Sequence, residues 1–318
     1  MRTKRNWGIY NRRSVEKGDI TLYIDPAILN NKEDIKRMNK GKVGRPYKYS
    51  AGLILATFAV KCLFRLGYRR AEGFMKGMAR KLGITSNPVY TEVHDRISKL
   101  KKKDIDLNVR PLGIGEKRNI SIDSTGIKEI NGGEYRNYKY GGRKGWIKLH
   151  ASVDNKTKEI LTDEITKENV HDMTQHNNLI DPVKDDLDSA YLDRAYDAEQ
   201  SFKHAKENGY KCNVPVRINA STKCGPFRRE AVREQFGLPF GKQSHNRFFK
   251  HGRIENWKKR QQKKWKERVH YGDRWIIEGT FARFKGYFGE YVFSKKRIMK
   301  KKELLLKIGI YNSIIVAP

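Results

Sequence analysis

Three carboxylates stand in separate segments of the chain, and their types suit metal-assisted chemistry at phosphorus. Asp123 ends the alternating stretch 119–123, Asp193 ends the short apolar run 191–193, and Glu278 lies in a segment with helical spacing. Mg²⁺ prefers oxygen ligands and keeps some of its positions for water and substrate phosphate. Two such ions, roughly 3.5–4 Å apart, stabilise the attacking and leaving oxygens of an in-line displacement. The three residues therefore predict a two-metal site for Mg²⁺, with Mn²⁺ as an alternative.

Each aspartate also has a structural interpretation, because a lone aspartate at a strand end is commonly a turn or cap residue. Asp197 follows Asp193 by about one helical turn and competes with it for the ligand role. His150 and His171 could also bind a metal, but the chain lacks an HExxH motif or another paired-histidine spacing. That absence favours structural roles for both histidines.

The segment around Glu278 predicts a helix with one polar row. Four side chains share an arc of about 60° at about 100° per residue: Tyr271, Arg274, Glu278 and Lys285. An apolar stripe adjoins this row, so the helix can bury one side and present the other. Arg and Lys in the row could hold phosphates that flank the reacting bond. A surface helix with i,i+4 ion pairs would show the same pattern.

Strand and helix patterns alternate in the part of the chain that must position the aspartates. The order predicts an α/β (or α+β) layered domain. The predicted elements are strands at 119–123, 146–153 and 159–165, a helix opened by Asp172 and Gln175 as a capping box, a strand at 191–193, a helix over 198–208 closed by Gly209, and a strand over 211–218.

The N-terminal third has helical patterns and two features that could contact DNA. Apolar residues recur every three to four positions over 53–64, which predicts a helix there. Two helical segments flank a turn at 83–88, as in a helix-turn-helix, whose second helix would present Thr91, His94 and Arg96. An ordinary helical bundle explains this pattern equally well. Arg45 stands between Gly44 and Pro46, and such a motif with basic neighbours can lie in a minor groove. A linker turn is the alternative.

The overall charge indicates a polyanionic partner. The 318 residues include 68 Lys and Arg against 36 Asp and Glu, a formal net charge of +32. Such an excess argues against a typical metabolic enzyme, and the 37% hydrophobic content excludes a wholly disordered basic tail. Three dispersed cysteines without a CxxC pair argue against a disulfide scaffold or a cysteine-ligated zinc site. No apolar run is long enough to span a bilayer.

The charge is unevenly distributed along the chain. Residues 151–200 contain 5 Lys and Arg against 13 Asp and Glu, a local net charge of −8. Residues 221–270 contain 15 Lys and Arg against 4 Asp and Glu, a local net charge of +11. Carboxylates beside a polyanion repel it unless a cation lies between them. The acidic region that contains Asp193 therefore favours a site that accepts DNA when a divalent metal is bound.

Three motifs in order resemble those of the prokaryotic insertion-sequence DDE transposases. The group is marked by a Tyr-x2-Arg-x3-Glu-x6-Lys signature, which this chain reproduces at Tyr271, Arg274, Glu278 and Lys285. The first family aspartate, in a strand followed by Ser-Thr-Gly, matches Asp123 with residues 124–126. The second, in an Asp-x-x-Tyr-Asp pattern, matches residues 193–197, which favours Asp193 over Asp197 as the ligand. The resemblance extends over most of the chain.

The resemblance implies a ribonuclease H-like mixed sheet flanked by helices, interrupted by a basic insertion before the final catalytic helix. The implied domains are a DNA-binding arm and helical region at 1–113, a catalytic domain at 114–218 and 269–318, and an insertion at 219–268. Trp257 and Trp265 of the insertion could stack on an unpaired or flipped base. Packing within the protein is the alternative for both rings.

The resemblance also implies a function. Asp123, Asp193 and Glu278 would hold Mg²⁺ or Mn²⁺, while Arg274 and Lys285 grip phosphates with support from Tyr271. The enzyme would cut double-stranded DNA at the element's inverted repeats and join the freed 3′-hydroxyl to target DNA. It would act as a homodimer assembled on DNA, in the prokaryotic cytoplasm at the nucleoid. The alternatives are a ribonuclease H-like nuclease without strand transfer and a non-catalytic DNA-binding protein derived from a transposase.

Overall fold

A computed structural model describes most of the chain and divides it into two compact units. The helical unit comprises Met1–Val109, Lys128–Lys139 and Phe284–Pro318, and the sheet unit comprises Arg110–Ile127 and Tyr140–Arg283. The described residues are 6–16, 31–81, 87–102, 105, 107, 109–129, 138–139, 141, 145–220, 223–237 and 251–316. Residues 83–86 of the predicted turn at 83–88 therefore lie outside the described residues.

The secondary structure of the described residues is predominantly helical. The α-helices are α1 (Trp7–Glu16), α2 (Lys32–Asn39), α3 (Ala51–Leu63), α4 (Tyr68–Lys81), α5 (Tyr90–Lys99), α6 (His176–Ile180), α7 (Glu199–Asn208), α8 (Pro226–Phe236), α9 (His251–Arg268), α10 (Trp275–Phe288) and α11 (Arg297–Val316). The strands are β1 (Arg118–Glu129), β2 (Trp146–Asp154), β3 (Ile160–Lys167), β4 (Leu187–Leu192), β5 (Lys211–Asn213) and β6 (Tyr291–Val292). Short 3₁₀ turns cover Asp172–Gln175, Asp181–Asp186, Arg194–Tyr196 and Tyr271–Arg274.

The strands form one mixed sheet in the order β3-β2-β1-β4-β5, and β6 pairs with the end of β1. Strand β4 is parallel to both β1 and β5, whereas β2 and β3 are antiparallel. Helix α6 packs on the β2–β3 side and α7 beside β5. This arrangement confirms the predicted α/β class with a mixed sheet flanked by helices.

The core of the sheet unit follows from the apolar runs of its central strands. Ile120, Ile122 and Leu192 are completely buried, and β2 is buried over almost its whole length. Near-continuous burial is typical of strands that are covered on both faces. Parallel pairing places Ile122 of β1 opposite Leu192 of β4. The residues that follow this pair therefore leave the core at the same edge.

Several predicted boundaries differ from the structure. Strand β1 continues six residues beyond Asp123 to Glu129, and β5 ends at Asn213 rather than near residue 218. The capping-box interpretation of Asp172 was wrong, because the ring Nδ1 of His171 accepts the Met173 N–H instead, at 3.2 Å. The end of α7 was predicted correctly, since Gly209 takes the left-handed conformation at φ 74°.

Helices α3, α4 and α5 of the helical unit lie where the sequence patterns predicted them. Ser50 caps α3, and its hydroxyl accepts the Leu53 N–H at 3.1 Å. The spaced apolar residues of α3 pack against Met75 and Ala79 of α4. Arg96 of α5 donates to the Tyr49 carbonyl just before α3, at 2.5 Å. The three helices are therefore joined by apolar packing and by a hydrogen bond at the start of α3.

The helical unit also contains a buried ionic cluster between α3 and α11. Glu303 and Lys307 form an ion pair at 3.0 Å, with side chains 0% and 1% exposed. The ammonium of Lys61 lies over the rings of Phe58 and Tyr68 at 5.1 and 5.0 Å. Buried charges persist only when they are paired and hydrogen-bonded. This cluster helps to fix the C-terminal helix within the helical unit.

The described residues of the basic insertion predicted at 219–268 include the two helices α8 and α9. Residues 221–222 and 238–250 lie outside the described residues. No single helix of the described chain is long and apolar enough to cross a membrane, and only the bent pair α3–α4 passes that test jointly.

Candidate active site

Two aspartates lie side by side where the paired part of two parallel strands ends. Asp123 follows Ile122 of β1 and Asp193 follows Leu192 of β4, and these two apolar residues are register partners. Neighbouring strands are about 4.8 Å apart, so the two aspartates emerge close together. Asp123 Oδ1 accepts the Ser124 N–H at 2.8 Å, and Asp193 Oδ1 accepts the Arg194 N–H at 2.6 Å. Each carboxylate is thus held by the backbone that follows it.

Arg274 connects the first aspartate with the glutamate. Its Nη1 lies 3.2 Å from Asp123 Oδ2, and its Nη2 lies 2.7 Å from Glu278 Oε1. The Arg274 side chain is 13% exposed, whereas that of Glu278 is 41% exposed. Asp123 and Glu278 are 155 positions apart in the printed sequence, and one guanidinium brings them together. The Glu278 carboxylate therefore faces the edge where the aspartates emerge.

Tyr271 anchors the turn that precedes the glutamate helix. Its hydroxyl donates to the Leu192 carbonyl at 2.8 Å, immediately before Asp193. The buried ring packs with Tyr191 and Trp265. The phenol therefore fixes the 3₁₀ turn against the end of β4 and holds the carbonyl next to a site residue.

The segment predicted as one helix from Tyr271 to Lys285 is interrupted at its start. Tyr271–Arg274 form a 3₁₀ turn after His270, which has φ 52°, and the regular helix begins at Trp275. A 3₁₀ turn advances about 120° per residue, so the predicted arc of about 60° does not hold for its first members. Lys285, in the part of α10 assigned to the helical unit, is half-buried.

The Asp123 carboxylate is largely buried and has charges of both signs around it. Burial raises the pKa of Asp123, the Ser124 amide and Arg274 lower it, and the neighbouring Asp193 and Asp172 raise it again. The net pKa lies above the usual aspartate value. Oxygen donors in a negative field suit Mg²⁺, and a divalent ion would relieve the repulsion between the carboxylates.

The carboxylates do not form a complete metal cage. Over the described part of the chain, no three His, Cys, Asp or Glu side chains converge with metal-ligand geometry. Arg274, which contacts both Asp123 and Glu278, instead neutralises them directly. Residue types and placement fit a divalent metal, and ligation by all three carboxylates would require Arg274 to move from between two of them.

Comparison with known proteins assigns the family. A family model described as a transposase DDE domain matches residues 114–313, and a second model with that description matches residues 15–132. The chain belongs to the transposase DDE domain family. Among solved structures, the cryo-EM piggyBac transposase synaptic complex with hairpin DNA aligns over 96% of this chain and 74% of that chain. The sequence identity is 12% and the TM-score is 0.43.

The chain has a fourth carboxylate near the candidate site, which the sequence patterns missed. Asp172 lies 2.8 Å from Lys148 Nζ and 3.1 Å from Nδ1 of the fully buried His150. Burial would raise the pKa of Asp172, but interactions with His150, Lys148 and Ser124 bring it below its usual range. Ser124 directly follows Asp123, so Asp172 acts on the same segment as the first site aspartate.

The sequence of β2 contains a signal that points to an acidic partner such as Asp172. Lys148 and His150 are two residues apart, so both side chains emerge on one face of the strand. Two basic side chains on a buried strand predict an acidic partner, because buried charges are rarely left unpaired. His150 was predicted to be structural, and Asp172 is the acidic partner that this pattern indicates.

Asp197, the alternative to Asp193 as a metal ligand, is held by hydrogen bonds within the sheet unit. Its buried carboxylate accepts Arg228 Nε at 2.6 Å and Nη2 at 2.7 Å. It also accepts the Arg217 N–H at 3.0 Å. A bidentate pair of this kind has fixed geometry. Asp197 thus links the segment after β4 with α8, whereas Asp193 is exposed.

The other predicted DNA contacts have different surroundings. Arg45 is exposed, whereas Arg96 bonds to the Tyr49 carbonyl and lies over the Tyr47 ring at 4.6 Å. Trp257 is half-buried. Trp265 is 4% exposed within its aromatic cluster, so a base could stack on its ring only after that cluster opened.

Proposed function

We propose that this chain is a DNA transposase that cuts the ends of an insertion sequence and joins the 3′-hydroxyl to target DNA. The observation that supports this most strongly is the register pair Ile122 and Leu192, which delivers Asp123 and Asp193 to one edge. Arg274 links Glu278 to the same edge. DDE transposases generally use divalent metal, and phosphoryl transfer needs little else beyond positioning and charge neutralisation.

In this proposal Asp123, Asp193 and Glu278 hold Mg²⁺ or Mn²⁺. Bound divalent ions would supply Lewis acidity for the charge that develops on the attacking and leaving oxygens. Arg274, released from its carboxylates, donates to a phosphate oxygen beside the reacting bond, for which its planar fork is suited. Tyr271 keeps the Asp193 backbone in place through the Leu192 carbonyl. Lys285 contacts a flanking phosphate.

The partner is double-stranded DNA, as element ends and as target. The exposed basic residues of α9, together with Arg45 in the N-terminal segment, supply sequence-independent phosphate contacts. Arg96, Trp257 and Trp265 remain proposed DNA contacts that need local rearrangement. The domains proposed are 1–113 for DNA recognition, 114–218 with 269–318 for catalysis, and 219–268 as the insertion. A homodimer on DNA would coordinate two ends, and DNA as substrate places the enzyme at the nucleoid in the cytoplasm.

The test is cleavage of the native element ends with Mg²⁺, mapped to the nucleotide. Asp123→Asn and Glu278→Gln should each reduce cleavage at least 100-fold, because each removes a charge needed in the transition state. Asp186→Asn, an exposed aspartate before β4, is the matched control and should cleave normally. Unchanged cleavage by either site variant would make the catalytic assignment wrong.

A nuclease without strand transfer would use the same site. Precut element ends with labelled 3′-hydroxyls, mixed with a target plasmid, separate the two activities: joined products support a transposase, and cleavage without joining supports the nuclease. Tight DNA binding without either reaction, under all divalent metal conditions, would support the non-catalytic alternative.

A further inference from the structure

A cavity of about 670 Å³ opens in the helical unit between the beginnings of α4 and α5. This volume lies within the range of about 300–1,000 Å³ typical of small-ligand pockets. The cavity is remote in sequence from every proposed metal ligand. Its lining combines aromatic rings, guanidinium groups and a hydroxyl, supplied by Tyr68, Arg69, Arg70, Tyr90, Thr91 and His94.

The aromatic part of the lining is held in place by contacts among its own members. The Arg69 guanidinium lies 4.7 Å from the centroid of the Tyr90 ring, and Arg69 Nη2 donates to the Tyr90 hydroxyl at 3.2 Å. Tyr68 and His94 meet edge to face with centroids 5.5 Å apart. The cavity therefore has preformed planar surfaces on which a flat ring can stack.

The polar part of the lining offers donors without partners. Arg70, Thr91 and His94 are exposed, and none of them forms a hydrogen bond or ion pair with another described side chain or backbone group. The acidic Glu72 is already bound to Lys76 at 2.6 Å and to the Tyr90 N–H at 2.7 Å. The cavity mouth thus keeps its positive charge, which favours an anionic group.

We propose that this cavity binds a nucleotide displaced from a DNA stack. The base would lie against the rings of Tyr90 and His94, and its phosphate would accept from Arg70 and Thr91. Stacking on aromatic and guanidinium planes suits any base, because every base has a π-face. A paired base cannot enter a concave site, whereas an unpaired or frayed one can, at an unstacking cost that is lowest where pairing is already broken.

This inference rests on the proposed function only in taking DNA as the partner, and it needs neither metal nor cleavage. The experiment measures fluorescence anisotropy with EDTA present, using a paired duplex of the element end and the same duplex with one extra unpaired nucleotide. The full chain should bind the second probe about tenfold more tightly, which is about 1.4 kcal/mol.

Two variants and a control assign the preference to the cavity. Thr91→Trp fills the space and should bring the affinity ratio close to one while binding to the paired duplex persists. Arg70→Ala should weaken binding to the unpaired probe about fivefold more than Arg80→Ala, which removes the same charge from the other end of α4. Thermal unfolding followed by circular dichroism checks each fold. If Thr91→Trp does not fold, the comparison of Arg70→Ala with Arg80→Ala decides whether the preference belongs to the cavity.

Photocrosslinking locates the base directly. A 5-iodouracil at the unpaired position should crosslink within α5, at Tyr90 or His94. An affinity ratio near one for the unmodified chain, equal losses for the two arginine variants, or crosslinks only elsewhere would each overturn the cavity proposal while leaving the transposase proposal intact. Failure to bind either probe would contradict DNA as the partner, and both proposals with it.

Discussion

Asp193 and Asp197 are four residues apart, and their carboxylates have opposite surroundings. Asp193 is exposed, and among the described residues its carboxylate bonds only to the Arg194 amide, whereas the Asp197 carboxylate is buried against Arg228. An exposed carboxylate can exchange its water for a metal ion. A carboxylate that fills its lone pairs with a guanidinium and an amide is a structural element. This contrast supports the proposal that Asp193 is a metal ligand and gives Asp197 a structural role.

Substituting each aspartate should separate the two roles. Asp193→Asn should abolish cleavage and change the free energy of unfolding by less than about 0.5 kcal/mol. Asp197→Asn breaks a largely buried pair and should destabilise the fold by about 3 kcal/mol. Urea unfolding and single-turnover cleavage measure both effects. A stable, inactive Asp197→Asn protein would reverse the assignment.

The Tyr271 hydroxyl allows a test of how the backbone next to Asp193 is held in place. Tyr271→Phe removes the donor to the Leu192 carbonyl and should cost about 1 kcal/mol of stability. The cleavage rate at saturating DNA should fall about tenfold with unchanged DNA affinity, because the backbone of Asp193 loses its anchor. Tyr191→Phe is the matched control, since Tyr191 lies in the same aromatic cluster and makes no hydrogen bond through its hydroxyl to the described residues.

At the scale of elements, the ionic cluster between α3 and α11 shows how a C-terminal helix is fixed within the helical unit. Burial would raise the pKa of Glu303, but Lys307, Lys61 and hydrogen bonds from Phe293 and Ser294 bring it below the usual glutamate value. The carboxylate accepts the amides of Phe293 and Ser294 at 3.0 and 2.9 Å. Glu303 thus accepts hydrogen bonds from the segment that follows β6 and also balances the charge of two lysines.

Glu303→Gln should leave two buried ammonium groups without a counter-charge and destabilise the helical unit by about 3–5 kcal/mol. The pKa of Glu303 is lower in the folded protein than in the unfolded chain, where it is about 4.3. Its contribution to the free energy of unfolding is therefore complete above that pH, and it is lost as the pH falls through the pKa of the folded protein. The variant should therefore lose less stability than the unmodified chain between about pH 5 and pH 2. Urea unfolding across this range measures it, and Glu290→Gln, with an exposed side chain, should change little.

At the scale of the whole molecule, the net charge of +32 is distributed unevenly along the chain. Residues 221–270 have a net charge of +11, and α9 presents part of it on the surface. Residues 151–200, which contain Asp193, have a net charge of −8. Under the proposed function, affinity for DNA depends on residues 221–270, and a divalent cation allows DNA to approach the carboxylates of residues 151–200.

DNA binding should weaken steeply with salt, because each neutralised phosphate releases counterions. Replacing the exposed Lys263 and Lys264 of α9 by Ala should lower the slope of log affinity against log salt by about 2, equally for element and unrelated DNA. Replacing Lys203 and Lys206 of α7, which removes equal charge, should leave the slope unchanged. Equal slopes for all three proteins would remove α9 from the DNA interface.

The sequence alone determined a good part of this protein. Apolar periodicity located α3, α4 and α5, since burial of one helix face repeats every three to four residues. Alternating and apolar runs located the strands that deliver Asp123 and Asp193. The spacing from Tyr271 to Lys285, with the two aspartate motifs, indicated the DDE family to which the chain belongs. Patterns of this kind are local, and a local pattern can be seen in one dimension.

Only the tertiary structure decided which groups meet. It placed Asp123 beside Asp193 through the register of β1 and β4, put Arg274 between Asp123 and Glu278, and bound Asp197 to Arg228. It also turned the first residues of the predicted glutamate helix into a 3₁₀ turn. The physical reason is that ion pairs and register depend on distances between segments far apart in sequence, which no local pattern specifies.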